Sequence, residues 1–141
     1  GREAAWVRAR VPGTPLVGKV ERLEAVDALA EIAGRVDALW VCRGDLGEQL
    51  GPGALGRFVA SLSPADLRCP VLMAGQVLEH LTEHAEPTRS EVCHLYDLLA
   101  RDYAGIVLSD ETAIGENPAR AVRQAAALVR AFRDTPGASR E

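Results

Sequence analysis

Short apolar runs alternate with helical repeats along the chain. Four runs rich in β-branched and other apolar residues have the length of buried strands, and they cover residues 14–21, 36–42, 69–75 and 104–110. Segments whose apolar residues recur at helical spacing surround them, at 2–11, 22–34, 55–63, 76–83, 88–102 and 117–133. This fourfold strand–helix alternation predicts parallel strands joined by right-handed crossovers, and therefore an α/β fold.

Three of the predicted helices carry boundary signals. Thr88 is followed three residues later by Glu91, which is the pattern of a capping box. Asn117 precedes Pro118, so an N-cap residue and a first-turn proline stand together at the start of the last helix. Gly34 stands where the residue beyond a helix C-terminus is expected.

Polar residues follow each predicted strand at its carboxyl end. They comprise Lys19 and Glu21 on the first strand, 43–47 after the second, 75–76 after the third and 109–112 after the fourth. Parallel sheets and α/β barrels build their active sites at this end of the strands. We therefore expect any functional site to lie there.

Composition narrows the classes of partner. The 141 residues are 48% hydrophobic, enough for one domain with a core, and the net charge of −4 without a basic run disfavours nucleic acid and anionic membranes. No apolar run approaches the roughly 18 residues of a spanning helix. The widely spaced Cys42, Cys69 and Cys93 favour reduced thiols and a cytoplasmic location.

The two ends of the sequence suggest an excised domain or a fragment of a longer polypeptide. The chain opens inside a helical pattern without an initiator methionine, and it closes in the polar stretch DTPGASRE. We therefore expect a domain over residues 1–133 and a polar tail or linker over 134–141.

Five motifs on successive strand ends and helices carry a family resemblance. In chain order they read GKVE, CRGDLG, AGQVLE, EPTRSEV and LSDETAIGENPARAV. Together they resemble the C-terminal half of the pyruvate kinase barrel, over about residues 6–133. The resemblance implies strands five to eight of a (β/α)8 barrel, hence a half barrel of four βα units.

The resemblance implies roles for four residues. Lys19 corresponds to the catalytic lysine that faces the enolate oxygen, and Glu21 and Asp45 to the two carboxylates that hold Mg²⁺ or Mn²⁺. The backbone of Gly44 and Asp45 would hold the carboxylate of phosphoenolpyruvate. Elementary chemistry agrees, because paired carboxylates suit hard cations and Lys19 shares a strand face with Glu21. A plain salt bridge at the barrel mouth is the alternative.

Other positions depart from the family pattern. Gly75, a substrate-binding candidate, stands where the family has a threonine, and Arg22 stands in place of an asparagine. His94 replaces an aspartate, and Asp110 replaces a glycine. Arg89 corresponds to an arginine near the subunit contact and the mouth of the site, so either a structural bridge or a substrate contact is expected of it.

The half of the barrel that precedes these strands in the family is not in this sequence. The chain alone should therefore not phosphorylate ADP, and enolisation, dehydration or lyase chemistry on a 2-oxo acid or acyl substrate is the leading hypothesis. A degenerate assembly or docking domain, and a fragment of a pyruvate kinase, are the alternatives. A homodimer or the other barrel half would cover the exposed edges and inner face; an open, flavodoxin-like sheet needs neither.

One further motif suggests a metal. HLTEH at 80–84 matches an inverted zinc-protease pattern, in which two histidines share a helix face. The predicted helix is short and no third ligand is evident. Two solvated histidines at a helix end are therefore the favoured interpretation.

Overall fold

The computed structural model describes residues 2–134. Its strands are β1 (Val17–Val20), β2 (Ala38–Cys42), β3 (Val71–Ala74) and β4 (Gly105–Val107). Its α-helices are α1 (Arg2–Arg10), α2 (Leu23–Asp27), α3 (Leu29–Ala33), α4 (Arg43–Leu50), α5 (Pro52–Ser61), α6 (Arg89–Ala100), α7 (Asp110–Ala113) and α8 (Pro118–Arg133). Of the predicted tail at 134–141, only Asp134 lies within the described residues, where it caps α8.

The four strands form one parallel sheet in the order β1-β2-β3-β4. Each strand is hydrogen-bonded to the next strand in the sequence, as crossover connections of a single hand require. The predicted α/β class and strand alternation are confirmed. An open sheet of four parallel strands in sequential order is consistent with half of a (β/α)8 barrel.

The two faces of the sheet differ in burial. Val20, Val41 and Met73 lie side by side in register on one face, and all three are fully buried under the helices. The neighbouring row on the opposite face begins with Lys19 and Trp40 and is partly exposed. This asymmetry matches a half barrel rather than a flavodoxin-like sheet covered on both faces.

Helix boundaries are partly as predicted. Thr88 and Glu91 form the expected capping box, with the Glu91 amide donating to Thr88 Oγ1 over 3.2 Å. Asn117 Oδ1 accepts from the Arg120 amide at 2.9 Å, and Pro118 lies in the first turn. Gly34 differs from expectation, because its φ of −75° is right-handed and does not form a left-handed helix end.

Three segments differ from the predicted elements. The helix predicted at 22–34 is interrupted at Ala28 and forms α2 and α3. Residues 43–47, to which the sequence analysis assigned no helix, begin helix α4 directly after β2. The helix predicted at 76–83 is reduced to a single 3-10 turn, Glu79–Thr82.

Within residues 2–134, no helix combines the length and the apolar character needed to cross a bilayer.

Candidate functional site

A cavity of about 350 Å³ opens at the carboxyl ends of the strands. The ends of all four strands line it, through Lys19, Trp40, residues 42–45, residues 74–75 and residues 107–109. Four of the residues predicted for the site therefore share one cavity, namely Lys19, Gly44, Asp45 and Gly75. Parallel strands bring these sequence-distant residues together because their carboxyl ends meet at one edge of the sheet.

Lys19 and Glu21 form an ion pair at the end of β1. Lys19 Nζ lies 2.9 Å from Glu21 Oε2, and the two side chains are 53% and 34% exposed. The close contact with Glu21 and the charge of its carboxylate raise the pKa of Lys19 above its ordinary value, with smaller contributions from Cys42 and Asp45. Lys19 is therefore held as an ammonium at the cavity wall.

Glu21 contacts Lys19 through a buried oxygen. Glu21 Oε2 is buried and lies 2.9 Å from Lys19 Nζ. The carboxylate lines a second cavity of about 250 Å³ between α1 and β1, which Lys19 shares with the 350 Å³ cavity. Because a carboxylate has more lone pairs than this one contact uses, Glu21 can also serve as a ligand for a cation.

Asp45 lies in the first turn of α4, exposed to the cavity mouth. Burial is the main cause that raises the pKa of the neighbouring Cys42 thiol, and the charges of Glu21 and Asp45 raise it further while Lys19 lowers it. The charges of Lys19, Glu21 and Asp45 therefore all affect the pKa of the same thiol. Asp45 and Lys19 also line the same cavity as Cys42.

The residues present fit a hard divalent cation. Within residues 2–134, no cluster of three or more His, Cys, Asp or Glu side chains is arranged to hold a metal ion. Mg²⁺ needs no such cluster, because it usually keeps several waters and takes one or two carboxylates together with substrate oxygens. Glu21 and Asp45, at the ends of neighbouring strands, would supply that donor set.

Arg43 also lines the cavity and contacts His94 behind it, although the sequence predicted no role for either residue. Arg43 Nε donates to the Gly75 carbonyl at 3.0 Å, and Arg43 Nη2 donates to the same oxygen. Arg43 Nη1 lies 2.8 Å from His94 Nε2. No sequence pattern could pair two residues that lie 51 positions apart. The position of Arg43 directly after β2 could nevertheless have indicated that this arginine lies at the cavity.

Arg89 lies away from this cavity. It is exposed at the first position of α6, next to the capping residue Thr88. Thr88 and Glu91 line a different cavity of about 530 Å³, together with His80 and His84. The position of Arg89 on the surface is compatible with the expected bridge to another segment.

The two histidines of the HLTEH motif stack on each other. Their ring centroids are 3.7 Å apart with an interplanar angle of 9°. His80 Nδ1 lies 2.8 Å from the Glu86 carbonyl, which can only accept, so Nδ1 carries the proton. His84 is exposed.

Side chains of the segment after β4 hydrogen-bond to its own backbone. The buried Glu111 carboxylate accepts from the Ser109 amide at 2.6 Å. The Thr112 hydroxyl donates to the Ser109 carbonyl at 3.1 Å. These bonds fix the position of residues 107–109 at the cavity.

The sequence of this chain is similar to those of known pyruvate kinases. The family model "Pyruvate kinase, barrel domain" matches residues 7–122. The chain is 34% identical over 125 residues to the pyruvate kinase of Corynebacterium efficiens, covering 87% of this chain and 26% of that protein. It is 32% identical over 127 residues to that of Mycobacterium tuberculosis H37Rv (89% and 27%) and 33% identical over 122 residues to that of Chlamydia trachomatis (84% and 25%). The chain thus spans about a quarter of the length of these relatives.

Proposed function

Because the chain belongs to the pyruvate kinase family, we propose that its strand ends form a Mg²⁺- or Mn²⁺-dependent site that stabilises an enolate oxyanion. The ion pair between Lys19 and Glu21, together with the cavity that Lys19 shares with Asp45, is the observation that carries the proposal. In this assignment Glu21 and Asp45 hold the cation. When bound, the cation would supply positive charge to the developing oxyanion.

Lys19 is the proposed catalytic residue. Its ammonium is fixed by Glu21 and can donate a hydrogen bond to an oxyanion in the cavity, where charge develops as a 2-oxo acid or acyl substrate loses a proton. Enolisation, dehydration and carbon–carbon lyase chemistry share this enolate stabilisation and need in addition only a base that accepts the proton, to which no residue is assigned. Phosphoryl transfer to ADP would need the nucleotide-binding parts of the longer relatives.

The start of α4 is the proposed site for the substrate carboxylate. The first backbone amides of a helix have no intrahelical acceptor and favour an anion. Gly44 and Asp45 occupy these positions and line the cavity opposite Gly75. Arg89, which is exposed outside the cavity, is assigned to a bridge with another polypeptide segment rather than to this substrate.

The partly exposed inner face of the sheet is the proposed contact with a second half barrel. Eight strands close into a barrel whose interior side chains can fill, and the four strands described here leave the outer edges of β1 and β4 unpaired within residues 2–134. Helix α1 already lines a cavity with β1 and α3. In a barrel made of two copies, β4 of the second copy would pair with β1, and the helix α8 that follows it would need the place that α1 already occupies beside β1. We therefore propose that the partner is a segment equivalent to the N-terminal barrel half of the relatives.

Metal binding and proton exchange test the proposal. We expect Mn²⁺ to give a calorimetric binding signal that Glu21→Gln and Asp45→Asn each weaken at least about tenfold, as loss of one of two carboxylate ligands implies. The exposed residue Glu24 on α2 provides the matched control, and Glu24→Gln should bind Mn²⁺ as the wild type does.

Proton exchange tests the role of Lys19. With Mg²⁺ present, the methyl protons of pyruvate should exchange with deuterated solvent faster with the wild type than with Lys19→Ala. Equal Mn²⁺ binding by all variants, or equal exchange rates, would refute the site.

Two other functions have specific support. A non-catalytic docking or assembly domain is favoured by Gly75, which provides no hydroxyl at the cavity, and by the altered residue His94. A fragment of a pyruvate kinase is consistent with the share of the relatives that the chain covers. Cys42, Cys69 and Cys93 are free thiols, which supports a cytoplasmic location in either case.

A further inference from the structure

Arg43 connects three elements around the candidate site. It lies in the first turn of α4, directly after β2, and is half-buried. Its guanidinium donates to the carbonyl of Gly75, which follows β3, and contacts His94 in the middle of α6. Within the described residues, Arg43 forms no ion pair with a carboxylate, so both acceptors of its guanidinium are uncharged groups.

The hydrogen bond between Arg43 and His94 fixes the protonation state of the imidazole. A guanidinium can only donate, so His94 Nε2 must accept through its lone pair and the ring proton must sit on Nδ1. Protonation of Nε2 would remove this acceptor and would place two cations 2.8 Å apart. The contact therefore requires a neutral His94.

The surroundings of His94 favour the neutral ring. Burial is the main cause that lowers the pKa of His94, and the positive charge of Arg43 lowers it further. On the same helix, Asp97 raises this pKa, whereas Arg101, directly after the helix, lowers it. Tyr103, which is buried beside Arg43 and Arg101, titrates far above neutrality because burial raises its pKa.

The carbonyl that Arg43 holds belongs to an unusual stretch of backbone. Gly75 has a φ of +84°, and Gln76, which follows, has a φ of +54°. Two consecutive left-handed residues are disfavoured unless surrounding contacts hold them, above all when one carries a side chain. The bonds from Arg43 reach the peptide group between these two residues, at the wall of the 350 Å³ cavity.

We propose that Arg43 is a positioning residue that holds the 75–76 loop at the cavity wall, and that neutral His94 is the acceptor that keeps Arg43 in place. Acidification then protonates His94, displaces the guanidinium and frees the loop. This pH-dependent contact involves only residues of the chain and needs neither a metal ion nor a substrate. It goes beyond the proposed enolate chemistry and does not depend on it.

Nuclear magnetic resonance on the full, uniformly ¹⁵N-labelled chain tests this coupling. At neutral pH the ring nitrogens of His94 should report the Nδ1–H tautomer. On acidification, the backbone amides of Gly75 and Gln76 should shift with the same midpoint as the His94 ring, and that midpoint should lie below 6.5, the ordinary value of a histidine. Amides of Gly75 and Gln76 that stay unchanged while His94 titrates would overturn the proposal.

Two variants and one control separate a positioning role from a general effect of acid. His94→Gln keeps a neutral acceptor that does not titrate, so the amides of Gly75 and Gln76 should keep their neutral positions at low pH. Arg43→Lys has a single donor group that cannot reach both acceptors in the same geometry, so the loop amides should be displaced at every pH. His80→Gln, at the other cavity, should leave the wild-type curve intact. Persistence of the wild-type midpoint in His94→Gln would assign the titration to another group and refute the role of His94. If a variant does not fold, the wild-type titration still decides.

Discussion

Lys19 is the only lysine among the 16 basic residues of the chain, and the remaining 15 are arginines. A lysine ammonium is a compact charge whose pKa responds to its neighbours, whereas a guanidinium spreads its charge and stays protonated. The single lysine of the chain lies at the wall of the cavity, where it forms an ion pair with Glu21. This composition is a signal for Lys19 that is independent of any family resemblance.

The single lysine makes its ionisation directly measurable. The pKa of Lys19 should lie above 10.5, and Glu21→Gln should lower it towards that value by removing the paired carboxylate. Reductive ¹³C-methylation gives one lysine side-chain resonance to titrate, and Glu24→Gln is the matched control. Because the folded-state pKa is raised, the contribution of Lys19 to stability is complete below 10.5 and disappears as the pH rises through the folded-state value. An unchanged midpoint in Glu21→Gln would contradict the pairing.

Gly75 shows how one backbone angle restricts the residue type at the site. Its φ is +84°, while the atom nearest to an added β-carbon would be the Gly44 amide nitrogen at 3.9 Å, so the constraint is backbone strain and not space. Gly75→Ala should therefore lower the free energy of unfolding by about 1–2 kcal/mol. Gly56→Ala, in helix α5 where no atom lies within 4 Å, should raise it by about 0.5–1 kcal/mol. Urea unfolding measures both, and changes of the same sign would contradict this assignment.

At the scale of elements, apolar periodicity predicted the four strands but did not predict α4. Gly44 and Gly47 lower the helix propensity of this segment. In the fold Leu46 is fully buried, and a β-carbon at Gly47 would lie 3.1 Å from Leu55 Cδ2 of helix α5. Tertiary packing thus overrides helix propensity in α4, and the close approach of α5 explains why residue 47 is a glycine. The spacing of residues in the sequence could not reveal that Leu55 lies next to Gly47.

The segment after β3 shows the opposite error. Val77, Leu78 and Leu81 have a spacing typical of one helix face, and all three are buried as that pattern implies. The chain nevertheless forms only the 3-10 turn Glu79–Thr82 after the left-handed Gln76. Periodicity therefore predicted which side chains are buried, but it could not predict the left-handed turn at Gln76, next to a carbonyl that Arg43 binds from more than thirty residues earlier.

The capping box of α6 offers a prediction at the same scale. Thr88→Ala should destabilise the protein by about 1 kcal/mol, because the Glu91 amide loses its acceptor at the helix start. Ser90→Ala, an exposed substitution in the same turn, should change stability by less than about 0.5 kcal/mol. Thermal unfolding of the two variants side by side checks the difference. Equal losses would mean that the cap contributes nothing beyond helix propensity.

At the scale of the whole molecule, the register of the sheet defines a continuous inner face. Lys19, Trp40, Leu72 and Gly105 lie in one row across the four strands, and the row above it contains Cys42, Ala74 and Val107. Motif order along the sequence predicted the strand order and the end of the sheet at which Lys19, Gly44, Asp45 and Gly75 share a cavity. It left open what covers this face, with a second copy and the other barrel half as the alternatives.

Fragment complementation tests whether another half barrel covers the inner face. We expect the N-terminal barrel half of the Corynebacterium efficiens pyruvate kinase, co-expressed with this chain, to form a one-to-one complex, because an apolar parallel sheet with unpaired edges gains both strand pairing and burial on closure. Trp40→Asp should abolish the complex by placing a charge in the interior, whereas Leu23→Asp, an exposed apolar residue at the start of α2, should not. Light scattering after size-exclusion chromatography gives the masses. A particle of twice 15.0 kDa without the added half would indicate a second copy as the partner instead, and a monomer that binds neither would contradict barrel closure altogether.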